Sequence, residues 1–239
     1  MKGTTYPAEA CMESSEGPVL EKGLLAGRRI KYVLLDMDGT LLDLYFDDYF
    51  WGHLVPEKYA EKHGITFGRA VDELMKRYGH HKGTLNWADV DFWSEELDLD
   101  IPALKEQIKH LIEVHPHVEV FLRKLKSCEK KVFLVTDAHY KVLDLKMKKT
   151  RLGGYFDACI TSFEIGYPKE DLRFWYRLYE KLAFDKQDTL FIDDTERILK
   201  TAKEFGIGYV VYKAGANSRK EPSVSKDFPA ITDFRELLW

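Results

Sequence analysis

The apolar and polar positions along the chain predict short buried strands separated by amphipathic helices. An aliphatic, partly β-branched run at residues 30–35, stopped by a turn signal, is typical of a buried strand. Similar runs predict four further strands, at residues 131–135, 159–162, 189–192 and 209–211. Helical periodicity fills the intervals from residue 116 onwards, and this alternation indicates an α/β fold with a parallel, doubly wound sheet.

The long interval between the first two predicted strands shows helical periodicity and no strand pattern. Asp48 and Thr66 are suitable residues to cap the first two helices there, and Gly64 is suited to end the first of them. The four predicted helices of this interval lie at residues 48–63, 66–78, 86–97 and 102–113, and a loop is predicted at residues 79–83. We expect this insertion to lie over the C-terminal end of the first strand.

The chain is therefore predicted to have three parts. Residues 1–27 are polar, contain Gly, Pro and Ser, and show little periodicity, so we expect a loose or lightly docked N-terminal extension. Residues 28–42 and 116–239 are predicted to form the α/β core. Residues 43–115 are predicted to form an inserted helical subdomain.

Composition narrows the class of protein. The 239 residues are 45% hydrophobic and 32% charged, which favours a sizeable core over disorder. The net charge of −4 does not favour a general nucleic-acid-binding surface. Cys11, Cys128 and Cys159 are too few and too scattered for a disulfide framework or a zinc site. Without a signal-peptide pattern or an apolar run long enough for a membrane span, we expect a cytoplasmic monomer or weak homodimer with no membrane partner.

Chemically useful side chains follow several of the predicted strands. The residues at these strand ends are Asp36, Asp38, Thr136, Asp193 and Asp194. Lys169 lies in a turn before a predicted helix, and all these positions face the same edge of a parallel sheet. Two carboxylates as close as Asp36 and Asp38 repel each other unless a cation lies between them or one stays protonated. The set suits Mg²⁺, which prefers oxygen ligands, and a phosphoryl group, which needs a metal, an ammonium group and hydrogen-bond donors.

These residues also resemble the signatures of a known family. The segment Asp36-Met37-Asp38-Gly39-Thr40 is similar to the first signature of the haloacid dehalogenase superfamily, in its aspartate-dependent phosphatase branch. Thr136, Lys169 and the pair Asp193-Asp194 match the second, third and fourth signatures in order. The match covers roughly residues 31–212, and it implies a Rossmann-like core with the family's first-type helical cap.

The resemblance implies a mechanism with distinct roles for the two aspartates. Asp36 would attack phosphorus and form an aspartyl-phosphate. Asp38 would protonate the leaving oxygen and later deprotonate the attacking water. Mg²⁺ would be held by the Asp36 carboxylate, the Asp38 main-chain carbonyl and Asp193. Lys169 and Thr136 would contact the phosphoryl group and complete the catalytic set.

Simpler interpretations exist for some of these residues. Thr136 could be an ordinary strand-end residue, Lys169 a solvated lysine, and Asp194 a helix N-terminal acid instead of a residue that supports the site. Asp137 stands where the family commonly has asparagine, and a carboxylate there would repel phosphate unless it is turned away or paired. We expect the main-chain N–H of Asp137 to bind substrate and its side chain to face elsewhere; an inward carboxylate would argue against phosphatase activity or for a second cation.

The substrate is expected to contact the insertion, which is rich in aromatic residues. These aromatic residues are Tyr45, Phe46, Tyr49, Phe50, Trp51, Trp87, Phe92 and Trp93. They could stack a nucleobase or pack the core, and adjacent Phe92 and Trp93 cannot both lie on one helix face. His139 could reach the substrate or be structural.

Segments that include the signatures and also extend beyond them resemble the bacterial GMP/IMP 5′-nucleotidase group of the superfamily. They lie at residues 34–44, 46–47, 49–51, 54–57, 84–87, 93–95, 166–171 and 189–194. The resemblance implies hydrolysis of purine nucleoside 5′-monophosphates to nucleoside and phosphate. The alternatives are a phosphatase or phosphomutase acting on another small metabolite, such as phosphoglycolate or a sugar phosphate, and a non-enzymatic binding module. A dehalogenase is the least favoured, because that chemistry does not need Asp38.

Overall fold

The computed structural model describes Leu25 and residues 29–238. Most of the predicted N-terminal extension therefore lies outside the described residues. Leu25 is buried and belongs to the same apolar cluster as Val33 and Leu35. None of the helices in the described ranges is both long and apolar enough to cross a lipid bilayer.

The centre of the fold is a six-stranded parallel sheet, which confirms the predicted fold class. In spatial order β3-β2-β1-β4-β5-β6, its strands are β1 (Tyr32–Leu35), β2 (Lys131–Thr136), β3 (Ala158–Thr161), β4 (Thr189–Asp193), β5 (Tyr209–Lys213) and β6 (Ala230–Ile231). Leu35 of β1 is in register with Leu134 of β2 and with Ile192 of β4. The residues that follow these three strands therefore lie side by side at one edge of the sheet. The sequence did not predict β6, because two residues in a polar tail are too few to show a period.

Six α-helices connect β1 to β2, and the first five of them form the inserted segment. These five are α1 (Tyr45–Tyr49), α2 (Val55–His63), α3 (Phe67–His81), α4 (Val90–Leu97) and α5 (Ile101–Gln107). A π-helical turn at Phe50–Leu54 joins α1 to α2, and 3-10 turns lie at Leu85–Ala88 and Lys109–Leu111. Thr66 caps α3 and Gly64 ends α2, as predicted.

Four of the predicted boundaries in this segment are wrong, since α5 ends at Gln107 and not at residue 113. The first helix begins at Tyr45, so Asp48 lies inside it and is not its cap. Helix α3 continues to His81 through most of the predicted loop. Helix α4 begins at Val90 and not at Asn86, because the Asp89 carboxylate accepts the amides of Asp91 and Phe92 at 2.9 and 3.1 Å.

The remaining helices cover the two faces of the sheet. They are α6 (Val118–Ser127), α7 (Tyr140–Thr150), α8 (Ser162–Ile165), α9 (Leu172–Leu182) and α10 (Glu196–Phe205). Because side chains alternate along a strand, Val33 and Leu35 enter one apolar cluster and Leu34 enters the other. The cluster of Val33 continues into the β1–β2 segment, where it includes Phe46 and Trp93. The apolar core on this face of the sheet is therefore continuous with the core of the inserted helices.

Candidate active site

Lys169 forms a buried ion-pair centre with the acidic residues that follow β1 and end β4. Its Nζ donates to Asp36 Oδ1 at 2.5 Å, to Asp193 Oδ2 at 2.7 Å and to the Val135 carbonyl at 3.3 Å. The lysine is 1% exposed, so it is not a solvated helix-start lysine. Burial opposes its charge, but the Asp193 and Asp36 carboxylates raise the pKa of Lys169 above its usual value.

Three carboxylates meet beside this lysine. Oxygens of Asp36, Asp193 and Asp194 all lie within 4.8 Å of one another, an arrangement able to hold a metal ion. In the described part of the chain, Asp36 Oδ2 is one of four buried side-chain polar atoms with no hydrogen-bond partner. Burial raises the pKa of Asp193 to about 7 and also raises that of Asp194, and mutual repulsion among the carboxylates adds to both shifts. An oxygen-only donor set with an unsatisfied buried oxygen and surplus negative charge fits Mg²⁺.

Gly39 allows the loop after β1 to approach these carboxylates. Its φ is +84°, a left-handed conformation that favours glycine. A Cβ at this position would lie 2.4 Å from Asp194 Oδ2. The turn that separates Asp38 from the carboxylate cluster therefore depends on the absence of a side chain at residue 39.

The Asp38 carboxylate lies outside this cluster and pairs with a second buried lysine. Lys146 Nζ, on α7, lies 2.6 Å from Asp38 Oδ1 and 2.5 Å from Asp47 Oδ2. Asp47 Oδ1 in turn accepts from Lys105 Nζ of α5 at 2.7 Å. Burial raises the pKa of Asp38 to about 6, although Lys146 opposes the shift. We call these four alternating charges (Asp38, Lys146, Asp47 and Lys105) the lysine–aspartate chain.

The sequence reasoning missed three members of the lysine–aspartate chain. The available signal was the placement of each lysine one helical turn from a buried apolar residue. Lys146 follows the buried Val142 by four positions in α7, and Lys105 follows the buried Ile101 by four in α5. A lysine on the apolar face of a helix needs a partner, because buried charges are rarely left unpaired.

Thr136 and Asp137 lie at the end of β2. The Thr136 hydroxyl, which is almost fully buried, accepts the amide of Ala138 at 3.1 Å. Asp137 Oδ1 accepts the main-chain amide of Lys169 at 3.0 Å. Burial raises the pKa of Asp137. The carboxylate that departs from the family pattern is therefore paired with main chain, which reduces its repulsion of an anion.

His139 links the loop after β2 to the inserted helices. The side chain is nearly buried, and its Nε2 lies 3.8 Å from Asp89 Oδ1 and 3.9 Å from Asp91 Oδ2. Its Nδ1 accepts the amide of Lys141 at 3.4 Å. Burial lowers the pKa of His139. His139 also lines the cavity described below, so a contact with substrate stays a prediction.

A cavity of about 900 Å³ opens over these groups, between the end of the sheet and the inserted helices. The carboxylate, serine and threonine residues that line it are Asp36, Asp38, Asp47, Asp48, Thr84, Thr136, Asp137, Ser162, Glu170, Asp193, Asp194 and Thr195. Lys169 and Lys146 lie behind this surface and are each 1% exposed. The predicted contact of Lys169 with substrate phosphate stays a prediction.

Aromatic side chains form the opposite wall of the cavity. They are Trp51, Tyr78, Trp87 and Trp93. Of these, Trp87 is the most accessible, at 46% exposed, and Trp93 is fixed by its Nε1 donating to the Trp87 carbonyl at 3.1 Å. Phe46 and Phe50 are buried in the core instead. Phe46 and Phe50 therefore pack the core, and stacking of a nucleobase on the aromatic wall stays a prediction.

Comparisons with known proteins find similarity to hydrolases and phosphatases over most of the chain. The family model of haloacid dehalogenase-like hydrolases matches residues 30–206. The chain is 38% identical over 214 residues to the GMP/IMP nucleotidase YrfG of Escherichia coli, covering 90% of this chain and 96% of that one. It is 29% identical to a glyceraldehyde 3-phosphate phosphatase of Methanocaldococcus jannaschii, over 87% and 96% of the two chains. Its fold is similar to a HAD phosphatase structure from Thermococcus onnurineus, with a TM-score of 0.72, 25% identity, and 87% and 96% coverage.

Proposed function

The chain belongs to the haloacid dehalogenase-like hydrolase family and is a phosphoric monoester hydrolase of it, and we propose that it hydrolyses purine nucleoside 5′-monophosphates with Mg²⁺ as cofactor. The observation that carries the proposal is the position of Asp36, with an unpartnered carboxylate oxygen, at the floor of a cavity walled by indole rings. A volume of about 900 Å³ suits a ligand of nucleotide size.

The substrate proposal also draws on where the similarity extends. The 38% identity to the GMP/IMP nucleotidase runs over 90% of this chain, so it includes the helices that form the aromatic wall. Trp51 and Trp87 offer indole faces on which a purine can stack, and stacking contributes roughly 1–3 kcal/mol per base. We propose that residues 43–115 act as a cap that supplies these contacts.

Asp36, Asp193 and Asp194 are the side chains that would hold Mg²⁺, with the main-chain carbonyl of Asp38 as a further ligand. When bound, the ion would neutralise the carboxylates and polarise the phosphoryl oxygens, so that an anionic nucleophile can approach an anionic ester. Lys169 holds Asp36 Oδ1 and offsets part of its charge. Thr136 and the main-chain N–H of Asp137 would donate to phosphoryl oxygens.

Two aspartates carry the bond changes. A carboxylate oxygen of Asp36 forms a bond to phosphorus while the bond between phosphorus and the leaving ester oxygen breaks. Asp38 donates its proton to this leaving oxygen. Asp38 then takes a proton from water, whose oxygen attacks phosphorus and releases phosphate from Asp36. The pKa of Asp38, raised to about 6, suits a group that must act first as an acid and then as a base near neutral pH.

We also propose a reducing, cytoplasmic setting. Cys128 and Cys159 are free thiols in the described part of the chain. A chain that works in an oxidising compartment more often pairs its cysteines.

A phosphate-release panel with and without Mg²⁺ tests the function. The substrates are GMP, IMP, AMP, phosphoglycolate, glyceraldehyde 3-phosphate and glucose 1-phosphate. We expect the highest kcat/KM for GMP and IMP and loss of activity on chelation. Equal or better turnover of phosphoglycolate or a sugar phosphate would contradict the substrate assignment, and an isomeric sugar phosphate in place of free phosphate would indicate a mutase.

Asp36→Asn tests the covalent mechanism. Removal of a nucleophile is expected to lower kcat by a factor on the order of 10⁴ or more. Asp188→Asn is a matched control, because Asp188 pairs with the exposed Lys31 at the other end of β1. Full turnover by Asp36→Asn would refute the aspartyl-phosphate route.

A further inference from the structure

Lys146 is a buried cation that touches the proposed acid–base residue without lying on the cavity surface. Its Nζ is 2.6 Å from Asp38 Oδ1, and the residue is 1% exposed. Asp38, by contrast, lines the cavity, and its side chain is 23% exposed. A group in this position acts on a reaction only through its partner.

The other contacts of Lys146 hold it in place. Its Nζ lies 2.5 Å from Asp47 Oδ2, and Asp47 is held at Oδ1 by Lys105. The Lys105 ammonium lies 4.2 Å from the centroid of the Phe50 ring and 4.9 Å from that of Phe46, which favours its charged form in a buried place. The lysine–aspartate chain thus connects Asp38 to α7, α1 and α5.

We propose that Lys146 is a positioning residue that fixes the Asp38 carboxylate for proton transfer to the leaving oxygen, with Asp47 and Lys105 fixing Lys146. The proposal rests on the proposed phosphomonoesterase function. A general acid must lie within hydrogen-bond distance of the atom it protonates, and small misplacements slow the step strongly. Lys146 occupies Oδ1 of Asp38, which leaves Oδ2 as the oxygen that carries the proton towards substrate.

The inserted helices enter this arrangement directly. Asp47 lies on α1 and Lys105 on α5, both between β1 and β2. Asp38 lies in the loop after β1, and Lys146 lies on α7. Correct orientation of the acid therefore depends on α1 and α5 being docked beside α7.

The test exploits leaving groups that differ in their need for a proton. Phenyl phosphate and p-nitrophenyl phosphate have similar shapes, but nitrophenolate leaves without protonation and phenolate benefits from it. The ratio kcat/KM covers the steps up to release of the phenol, so the later hydrolysis of the aspartyl-phosphate does not affect it. Comparing both esters on one enzyme sample also cancels any inactive fraction.

Lys146→Met is expected to lower kcat/KM roughly 10- to 100-fold for phenyl phosphate and IMP, and less than about threefold for p-nitrophenyl phosphate. Lys146→Arg keeps the charge and the donors, so it should restore much of the phenyl phosphate activity. Asp47→Asn should give a smaller change of the same kind. Lys148→Met, on the same helix but paired with the exposed Asp144, should leave both esters unchanged.

Two results would overturn the positioning role while leaving the proposed function intact. One is an equal loss on both aryl phosphates in Lys146→Met, and the other is unaltered activity on both. Should Lys146→Met fail to fold, Asp47→Asn and Lys146→Arg decide the question by the same ratio, and an unchanged ratio in both refutes the role. Failure of the unsubstituted enzyme to release phosphate from any ester would instead refute the proposed function.

Discussion

Two buried lysines in this molecule have nearly the same surroundings and different consequences. Lys169 and Lys146 are each 1% exposed, and each ammonium group bridges two carboxylates. The distances are 2.5 and 2.7 Å for Lys169 and 2.5 and 2.6 Å for Lys146. Judged by ion-pair geometry alone, the two centres are equivalent.

Charge balance separates them. Asp194 adds a third carboxylate beside Lys169, and Asp36 Oδ2 has no hydrogen-bond partner in the described structure. That centre carries surplus negative charge when its carboxylates are ionised, and a divalent cation would neutralise it. The lysine–aspartate chain contains two lysines and two aspartates, so it is neutral without any ligand. The same bridging pair can therefore prepare a metal site or complete an internal network, depending on one additional carboxylate.

Removal of Lys169 should give the largest effect that distinguishes the two lysine centres. Lys169→Met is expected to lower kcat roughly 10²- to 10³-fold, because Asp36 loses the partner that orients it and offsets its charge. It should also lower the free energy of unfolding by about 3–5 kcal/mol, since breaking a buried pair leaves uncompensated charge. Phosphate release and urea denaturation measure the two effects. Activity within tenfold of the unsubstituted enzyme would contradict a catalytic role for this centre.

Mg²⁺ should raise the free energy of unfolding through the centre around Lys169 and not through the lysine–aspartate chain. At a concentration 100-fold above its Kd, a ligand specific for the folded state raises the free energy of unfolding by about 2.7 kcal/mol. We expect this gain in the unsubstituted protein and in Asp47→Asn, and its loss in Asp193→Asn. Denaturation in EDTA and in a Mg²⁺ titration provides the measurement. Loss of the gain in Asp47→Asn would mean that the lysine–aspartate chain also binds the cation.

Gly39→Ala should disturb the turn between the two centres. The added Cβ would lie 2.4 Å from Asp194 Oδ2, at a residue whose φ is +84°. We expect a destabilisation of about 1–2 kcal/mol from the left-handed conformation and weaker Mg²⁺ binding from displacement of Asp194. Gly68→Ala in α3 is the control, because a Cβ there meets nothing within 4 Å and its φ is not positive. Equal stability of the two variants would show that the close approach is unimportant.

In metal-free buffer, the free energy of unfolding should depend on pH through Asp193 in the centre around Lys169. The pKa of Asp193 is raised by burial to about 7 from an ordinary value of 3.8, so the folded state holds this proton longer than the unfolded state. Stability from this group is complete below about pH 4 and falls as pH rises towards 7, by at most about 1.4 kcal/mol per pH unit. Asp193→Asn lacks this loss, so it should gain stability relative to the unsubstituted protein between pH 5 and pH 7.5. Urea denaturation at both pH values tests it, and a constant difference would contradict the shift.

The residues around Lys169 could be predicted because sheet topology places them. Once the strands are known to be parallel and adjacent, the residues that follow β1 and end β4 must meet at one edge, as Asp36 and Asp193 do. The fold class followed from the alternation of predicted strands and helices. The proximity of Asp36 and Asp193 could therefore be predicted without any knowledge of side-chain packing.

The lysine–aspartate chain could not be predicted in this way. Lys146 is 108 residues from Asp38 and 99 residues from Asp47, and no local pattern links such positions. Lysines are usually exposed, so composition argued against a buried one. Only the tertiary packing of α1 and α5 beside α7 brings these charges together. Local capping chemistry also decided the start of α4, where Asp89 and not Asn86 accepts the first amides.

The neutrality of the lysine–aspartate chain has a consequence for how this sequence can diverge. A single replacement in it leaves an unmatched buried charge, at about 3–5 kcal/mol, against a total stability that is commonly only about 5–15 kcal/mol. Exposed pairs such as Lys148 with Asp144 carry no such cost. In descendants of this enzyme we expect oppositely charged partners such as Asp47 and Lys105 to change together or not at all. The network would then be inherited, or lost, as a unit.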